Sequence, residues 1–162
     1  MNKAVFLDRD GTIIEDKYYM CDVKDLQLLK NSIEALRKFK QMGYLLIVIT
    51  NQSGIGRGYF SQYQANQFNK AMLLVLEKNG CNIDATYTCP HAPEENCICR
   101  KPSPFMVEKA IQEWQIDPAK SYMFGDKETD VKCGNNAGVK SFKVTNHEDL
   151  LFWANKIENH EI

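Results

Sequence analysis

Apolar and polar positions alternate between two rhythms along this chain. Lys3 to Asp8 is a short apolar run that ends in acid and predicts a buried strand. Asn31 and Ser32 can cap a helix whose apolar positions Ile33, Leu36, Phe39 and Met42 fall on one face, and Gly43 suits the left-handed residue that ends it. Tyr44 to Thr50 follows as a dense β-branched run. A run apolar at nearly every position fits a parallel strand covered on both faces. Ser61 with Gln64 forms a capping-box pattern at the head of a helix reaching Asn79, before Gly80. Ile83 to Thr88 reads as a third, less apolar strand. Ser103-Pro104 places a cap and an N1 proline before a helix ending near Trp114. Ser121 to Gly125 and Val139 to Val144 read as the fourth and fifth strands with a helix between them, and Glu148 to Ile157 as a closing amphipathic helix. Regular strand–helix alternation predicts right-handed βαβ units, an α/β fold of three layers with a parallel sheet flanked by helices.

No repeat, low-complexity tract or Pro/Ser-rich linker interrupts the pattern. One domain over 1–162 is expected, with one irregular loop at 89–99. Hydrophobic residues make up 44% and charged residues 25%, a globular mix that excludes a disordered or fibrous chain. The net charge of −1 exerts no long-range pull on nucleic acid or an anionic membrane. The longest apolar run, Tyr44 to Ile49, falls far short of the about 20 residues a span needs. The N-terminus reaches Asp8-Arg9-Asp10 without the apolar core of a signal peptide. These features point to a cytoplasmic protein, and no long exposed apolar helix argues against a monomer.

In an open parallel sheet, ligands sit beyond the carboxyl ends of the strands. Strand one ends in Asp8-Arg9-Asp10-Gly11-Thr12, strand two in Thr50-Asn51-Gln52-Ser53-Gly54, and strand four in Gly125-Asp126-Lys127, with Asp130 four residues past Asp126. Arg100-Lys101 precedes a helix. Asp8, Asp10 and Asp126 crowded together repel one another unless a cation holds them, and an all-oxygen donor set suits Mg²⁺. Carboxylates holding Mg²⁺ beside a lysine and an arginine suit a phosphate monoester dianion. One carboxylate of the Asp8/Asp10 pair can attack phosphorus, and the other can protonate the leaving oxygen and later activate water. Lys101 and the Thr50 hydroxyl would hold the phosphoryl oxygens.

These residues, in this order, resemble the four motifs of the haloacid dehalogenase superfamily of phosphotransferases. The resemblance implies a Rossmann-like fold with no large cap domain. It makes Asp8 the nucleophile, Asp10 the general acid/base, and Asp8, the Asp10 carbonyl and Asp126 the Mg²⁺ ligands. Phe6–Ile13, Thr50–Gly58, Cys89-Pro90-His91, Cys97–Pro102 and Gly125–Lys127 more narrowly resemble the D-glycero-D-manno-heptose 1,7-bisphosphate 7-phosphatases of nucleotide-heptose (lipopolysaccharide or surface-glycan) biosynthesis. The similar histidinol-phosphate phosphatases share the Cys/His loop and are the alternative. Ser53 and Arg57-Gly58 favour the heptose enzymes. By the same resemblance Asp16, Lys17, Tyr18, Tyr19, Asn51, Gln52, Ser53, Arg100 and Lys127 contact substrate, with Arg100 and Lys127 toward its non-reacting part. Tyr18 stands where those enzymes often carry glycine.

Of six cysteines, Cys89, Cys97 and Cys99 gather around His91. In a reducing compartment such a cluster more often binds metal than forms disulfides. Four thiolate and imidazole ligands suit a closed, structural tetrahedral Zn²⁺ whose role is to fold the loop and so place Arg100-Lys101. A catalytically silent, zinc-stabilised binding module is the reading of another class. The intact carboxylate set argues against it, because without Mg²⁺ those charges only repel.

Overall fold

A computed structural model describes all 162 residues. Five strands, β1 (Ala4–Leu7), β2 (Leu45–Asn51), β3 (Ala85–Cys89), β4 (Tyr122–Gly125) and β5 (Lys140–Lys143), form one sheet in the order β3-β2-β1-β4-β5. Every pairing is parallel, with Leu7 opposite Val48 on one side and Phe124 on the other. The chain winds outward from β1 to β3, then returns to the opposite flank of β1. The direction of winding therefore reverses at β1, and a crevice opens at that strand's carboxyl end.

Side chains alternate across the sheet, so each strand feeds two cores. Val5, Leu7, Leu46, Val48 and Phe124 face one side. There they meet Leu36 and Phe39 of α1 (Ser32–Gln41), Phe68 and Met72 of α3 (Gln62–Lys78), and Leu150 and Ala154 of α6 (Leu150–Glu158). Ala4, Phe6, Ile47, Ile49 and Met123 face the other side. These pack on Met106, Val107 and Ala110 of α4 (Phe105–Glu113) and Cys133 of α5 (Glu128–Asn136). All four β1 residues are fully buried, as expected for the innermost strand of a three-layer sandwich. No helix is long and apolar enough to cross a membrane.

The capping box of α3 forms as its sequence predicts, with Ser61 Oγ accepting from Gln64 N and Gln64 Oε1 accepting from Ser61 N. The cap of α1 differs from expectation. Asn31 adopts φ 68° and makes no side-chain cap; its amide instead donates to Asp149 Oδ2 across 2.9 Å, tying α1 to the head of α6. Pro104 sits at the N-cap of α4 rather than inside its first turn. The third strand begins at Ala85, because Asp84 turns its carboxylate to the Leu46 N–H and Lys40. A four-residue helix, α2 (Ser53–Gly56), follows β2 and is too short to show a period in the sequence.

Candidate active site and metal centres

The floor of the crevice is built from β1. Asp8 is the first residue beyond the strand, its N–H bonded to Phe124 O of β4. The chain then turns: the Arg9 carbonyl accepts from the N–H groups of Thr12, Ile13 and Ile14, and Gly11 takes φ 83°. A side chain at Gly11 would also start 2.2 Å from Asp126 Oδ2, so glycine is what lets the turn press against the carboxyl end of β4.

Lys101 reaches this floor from the segment after the cysteine loop. Asn51, at the end of β2, holds its backbone on both sides, accepting from Lys101 N and donating to Lys101 O. The ammonium contacts Asp8 Oδ1, Asp130 Oδ1 and Ile49 O, each at 2.7 Å, which uses all three of its donors. Burial alone would lower the Lys101 pKa, but Asp8 and Asp130 outweigh it and hold the group firmly cationic. Burial raises the Asp8 carboxyl well above its ordinary range, opposed by Lys101 and assisted by Asp130. Asp126 is raised by the same loss of solvent.

Oxygens of Asp8, Asp126 and Asp130 lie within 4.8 Å of one another. The three are not equivalent. Both oxygens of Asp130 are engaged, one by Lys101 and the other by the Lys127 N–H at the head of α5. Asp126 Oδ1 is buried and has no hydrogen-bond partner. An orphaned carboxylate oxygen beside a second carboxylate of raised pKa is the environment a hard divalent cation satisfies, so the donor set fits Mg²⁺. Gly125 makes this arrangement possible: a Cβ there would start 2.2 Å from Asp130 Cβ, barring that side chain from folding back toward Lys101.

Asp10 stands at the edge of the crevice. Its carboxylate is gripped by Arg9, with Nε at 2.7 Å and a second guanidinium nitrogen at 3.3 Å, and by Gln52 Nε2 at 3.2 Å. Arg9 is buried, with its guanidinium 4.8 Å from the centre of the Phe68 ring. Nothing in the local sequence announces this clamp, because Phe68 lies on α3.

Asp8, Asp10 and Lys101 open into a cavity of about 210 Å³. Asp16, Tyr18 and Tyr19 of the loop after β1 line it, as do Asn51 at the end of β2 and Gln52 and Ser53 beyond it. Arg100 and Lys127 complete the expected set. Three expected residues, Thr50, Lys17 and Asp126, are not in its lining. Thr50 lies beneath Gln52, its hydroxyl accepting from Gln52 Nε2 at 2.8 Å, and Lys17 is exposed away from the lining. Thr129, in the first turn of α5, and Gly54 line it as well. Asp126, with Gly11, lines a second cavity of about 350 Å³.

In the cysteine loop, Cys89 ends β3, and His91, Cys97 and Cys99 fold back on it. The sulfurs are 3.0–3.7 Å apart, and His91 Nδ1 lies 3.3 and 3.5 Å from Cys99 and Cys89. A tetrahedron with Zn–S bonds of about 2.3 Å has S···S edges of roughly 3.8 Å. Four soft donors at nearly that spacing, with no disulfide among them, fit a closed zinc site.

A HAD-hydrolase-like family model matches residues 98–151. The chain is 46% identical over 147 residues to the D-glycero-beta-D-manno-heptose-1,7-bisphosphate 7-phosphatase of Pasteurella multocida, covering 87% of this chain and 80% of that one. It is 48% identical over 141 residues to the enzyme of the same name from Helicobacter pylori, covering 86% and 82%. Among solved structures, the D,D-heptose 1,7-bisphosphate phosphatase of B. bronchiseptica, complexed with magnesium and phosphate, superposes with a TM-score of 0.90 at 27% identity, over 98% of this chain and 99% of that one.

Proposed function

Because this chain belongs to the heptose 1,7-bisphosphate 7-phosphatase family of the haloacid dehalogenase superfamily, we propose that it removes the 7-phosphate of D-glycero-D-manno-heptose 1,7-bisphosphate through an aspartyl phosphate on Asp8. The observation that carries this reading is the buried Asp8–Lys101–Asp130 relay at the floor of a cavity rimmed by cations.

In the first step a carboxylate oxygen of Asp8 forms a bond to phosphorus as the bond from phosphorus to the sugar oxygen breaks. Asp10 gives that oxygen its proton. In the second step Asp10 takes a proton from water, whose oxygen attacks phosphorus; inorganic phosphate leaves and the Asp8 carboxylate is restored. The Arg9 and Gln52 contacts hold the Asp10 carboxylate at the cavity edge, where it can serve both steps. Lys101, fixed by three acceptors, needs no reorganisation to offset charge on the phosphoryl oxygens. Mg²⁺ held by Asp8, the Asp10 carbonyl and Asp126 supplies, when bound, charge neutralisation for the phosphoryl group. Thr50, whose hydroxyl accepts from Gln52 and keeps its own O–H to donate, holds a phosphoryl oxygen together with Lys101. Arg100 and Lys127 take the far end of the substrate, and Asp16, Tyr18 and Tyr19 flank the sugar. Zn²⁺ on Cys89, His91, Cys97 and Cys99 fixes the loop that delivers Arg100 and Lys101. The reading places a single phosphatase unit over residues 1–162 in the cytoplasm, acting as a monomer on a small phosphorylated sugar.

The test is phosphate release, with Mg²⁺ present, from both anomers of the heptose 1,7-bisphosphate and from histidinol phosphate. The expected result is a kcat/KM at least tenfold higher for one heptose anomer. A higher value for histidinol phosphate would move the substrate to that class, and no release from any of them would revive a silent binding module.

A further inference from the structure

We infer that Arg57 is a specificity residue that binds the second, non-reacting phosphate of the substrate; this rests on the bisphosphatase reading above. Four cations line the cavity: Arg57, Arg100, Lys101 and Lys127. Lys101 is committed to Asp8 and Asp130 on the floor. Arg57 is held differently. It caps the end of α2, four residues past Ser53, which places it about 6 Å further from the end of β2. Its Nε donates to Ser53 Oγ at 3.3 Å, and its guanidinium lies 5.9 Å from the centre of the Tyr19 ring. Its only carboxylate neighbour is Glu94 of the cysteine loop, at 4.0 Å and 74% exposed. The guanidinium is thus stationed at the rim with most of its donors uncommitted.

That placement has a structural cause. α2 is fastened to the cysteine loop at both ends, by Gln52 N to Cys89 O at 2.7 Å and Gly56 N to Pro90 O at 2.8 Å. The approach is close enough that a Cβ at Gly56 would start 2.6 Å from Ala92 N. Tyr19, which lines the same cavity beside the guanidinium, is itself edge-on to Tyr59 at 4.9 Å. A planar fork held on two sides suits a phosphate dianion, whose oxygens accept paired N–H groups. The weak contact to an exposed carboxylate is one a dianion can displace.

The experiment compares wild type, Arg57→Met and Arg57→Lys on heptose 1,7-bisphosphate and on the 7-monophosphate. Thermal unfolding serves as the check that both variants fold. If Arg57 reads the second phosphate, R57M raises KM for the bisphosphate about tenfold, the loss expected for a hydrogen-bonded charge pair, while kcat stays within about twofold. The discrimination between bisphosphate and monophosphate falls by the same factor, and R57K recovers part of it. Equal changes in KM for both substrates, or none, overturn the inference while leaving the phosphatase reading intact. Wild-type enzyme that does not prefer the bisphosphate overturns that substrate reading and this inference with it.

Discussion

Lys101→Met replaces an ammonium by a thioether of similar length at a 4% exposed position. It strands Asp8, Asp130 and the Ile49 carbonyl, each of which accepted from Lys101 at 2.7 Å. Removing one partner of a buried charge pair costs about 3–5 kcal/mol. At about 2–4 °C per kcal/mol for a domain of this size, Tm should fall by about 6–20 °C in metal-free buffer at pH 8. The pH dependence has a defined sign. Burial already raises the Asp8 carboxyl above its ordinary value of 3.8, and the variant removes the cation that opposes this rise. The folded state then holds a proton that the unfolded chain releases. Stability therefore falls as pH rises from the unfolded value through the raised folded one, and the deficit is smaller at pH 5 than at pH 8. The double variant K101M/D130N, with one fewer unpaired carboxylate, should recover at least about 1 kcal/mol of the loss. Thermal unfolding by circular dichroism in EDTA reads all of these. A Tm drop under about 3 °C at pH 8, or a deficit that grows toward pH 5, would refute the account of Lys101 as the charge that two buried carboxylates require.

Asp8→Asn should abolish phosphate release, by about 10³-fold or more, with Tm in EDTA within a few degrees of wild type, because Lys101 keeps Asp130 and Ile49 O; normal turnover would dismiss the covalent route. Wild-type protein should carry about one zinc per chain by mass spectrometry, and Cys99→Ser should lose it together with the protease resistance of residues 89–99, whereas full zinc content in that variant would remove Cys99 from the site. Gly54→Ala drives a methyl to within 2.3 Å of the buried Phe60 ring and should cost about 1–3 kcal/mol by urea unfolding, so an unchanged midpoint would show that Phe60 moves freely. Tyr18 is held at φ 60°, so Tyr18→Gly should keep or raise Tm while Tyr18→Val, β-branched at a left-handed position, lowers it; the reverse order in differential scanning calorimetry would contradict that backbone.

Tyr18 also shows how sequence and structure divide the explanation. The resemblance marked it as a departure from a glycine position, and the left-handed φ supplies the reason a glycine fits there. The carboxyl-end chemistry was legible for a simple cause. A period of two or of 3.6 is written into neighbouring residues, so strand and helix order follow from the chain alone, and parallel topology then gathers Asp8, Asn51, Lys101 and Asp126 at one edge. The cysteine–histidine cluster was equally legible, since close spacing brings Cys89 and His91, and Cys97 and Cys99, together in pairs.

Other features depend on partners far away in sequence. Asp130 could be placed near the site from its spacing, yet only the fold shows both its oxygens spent on Lys101 and the Lys127 N–H while Asp126 keeps one oxygen free. Thr50 reads as a phosphate ligand from its position, and the fold adds that its hydroxyl accepts from Gln52 Nε2 while its own O–H stays free to donate. The clamp of Arg9 on Asp10 requires Phe68 from α3, and the hold on Arg57 requires the cysteine loop. The amino-acid order alone thus determined which groups arrive at the crevice, because secondary structure is a local property. Which of their atoms remain unsatisfied, and so available for a metal or a substrate, was decided only by tertiary packing, because hydrogen bonds and burial are settled between segments that have no relation along the chain.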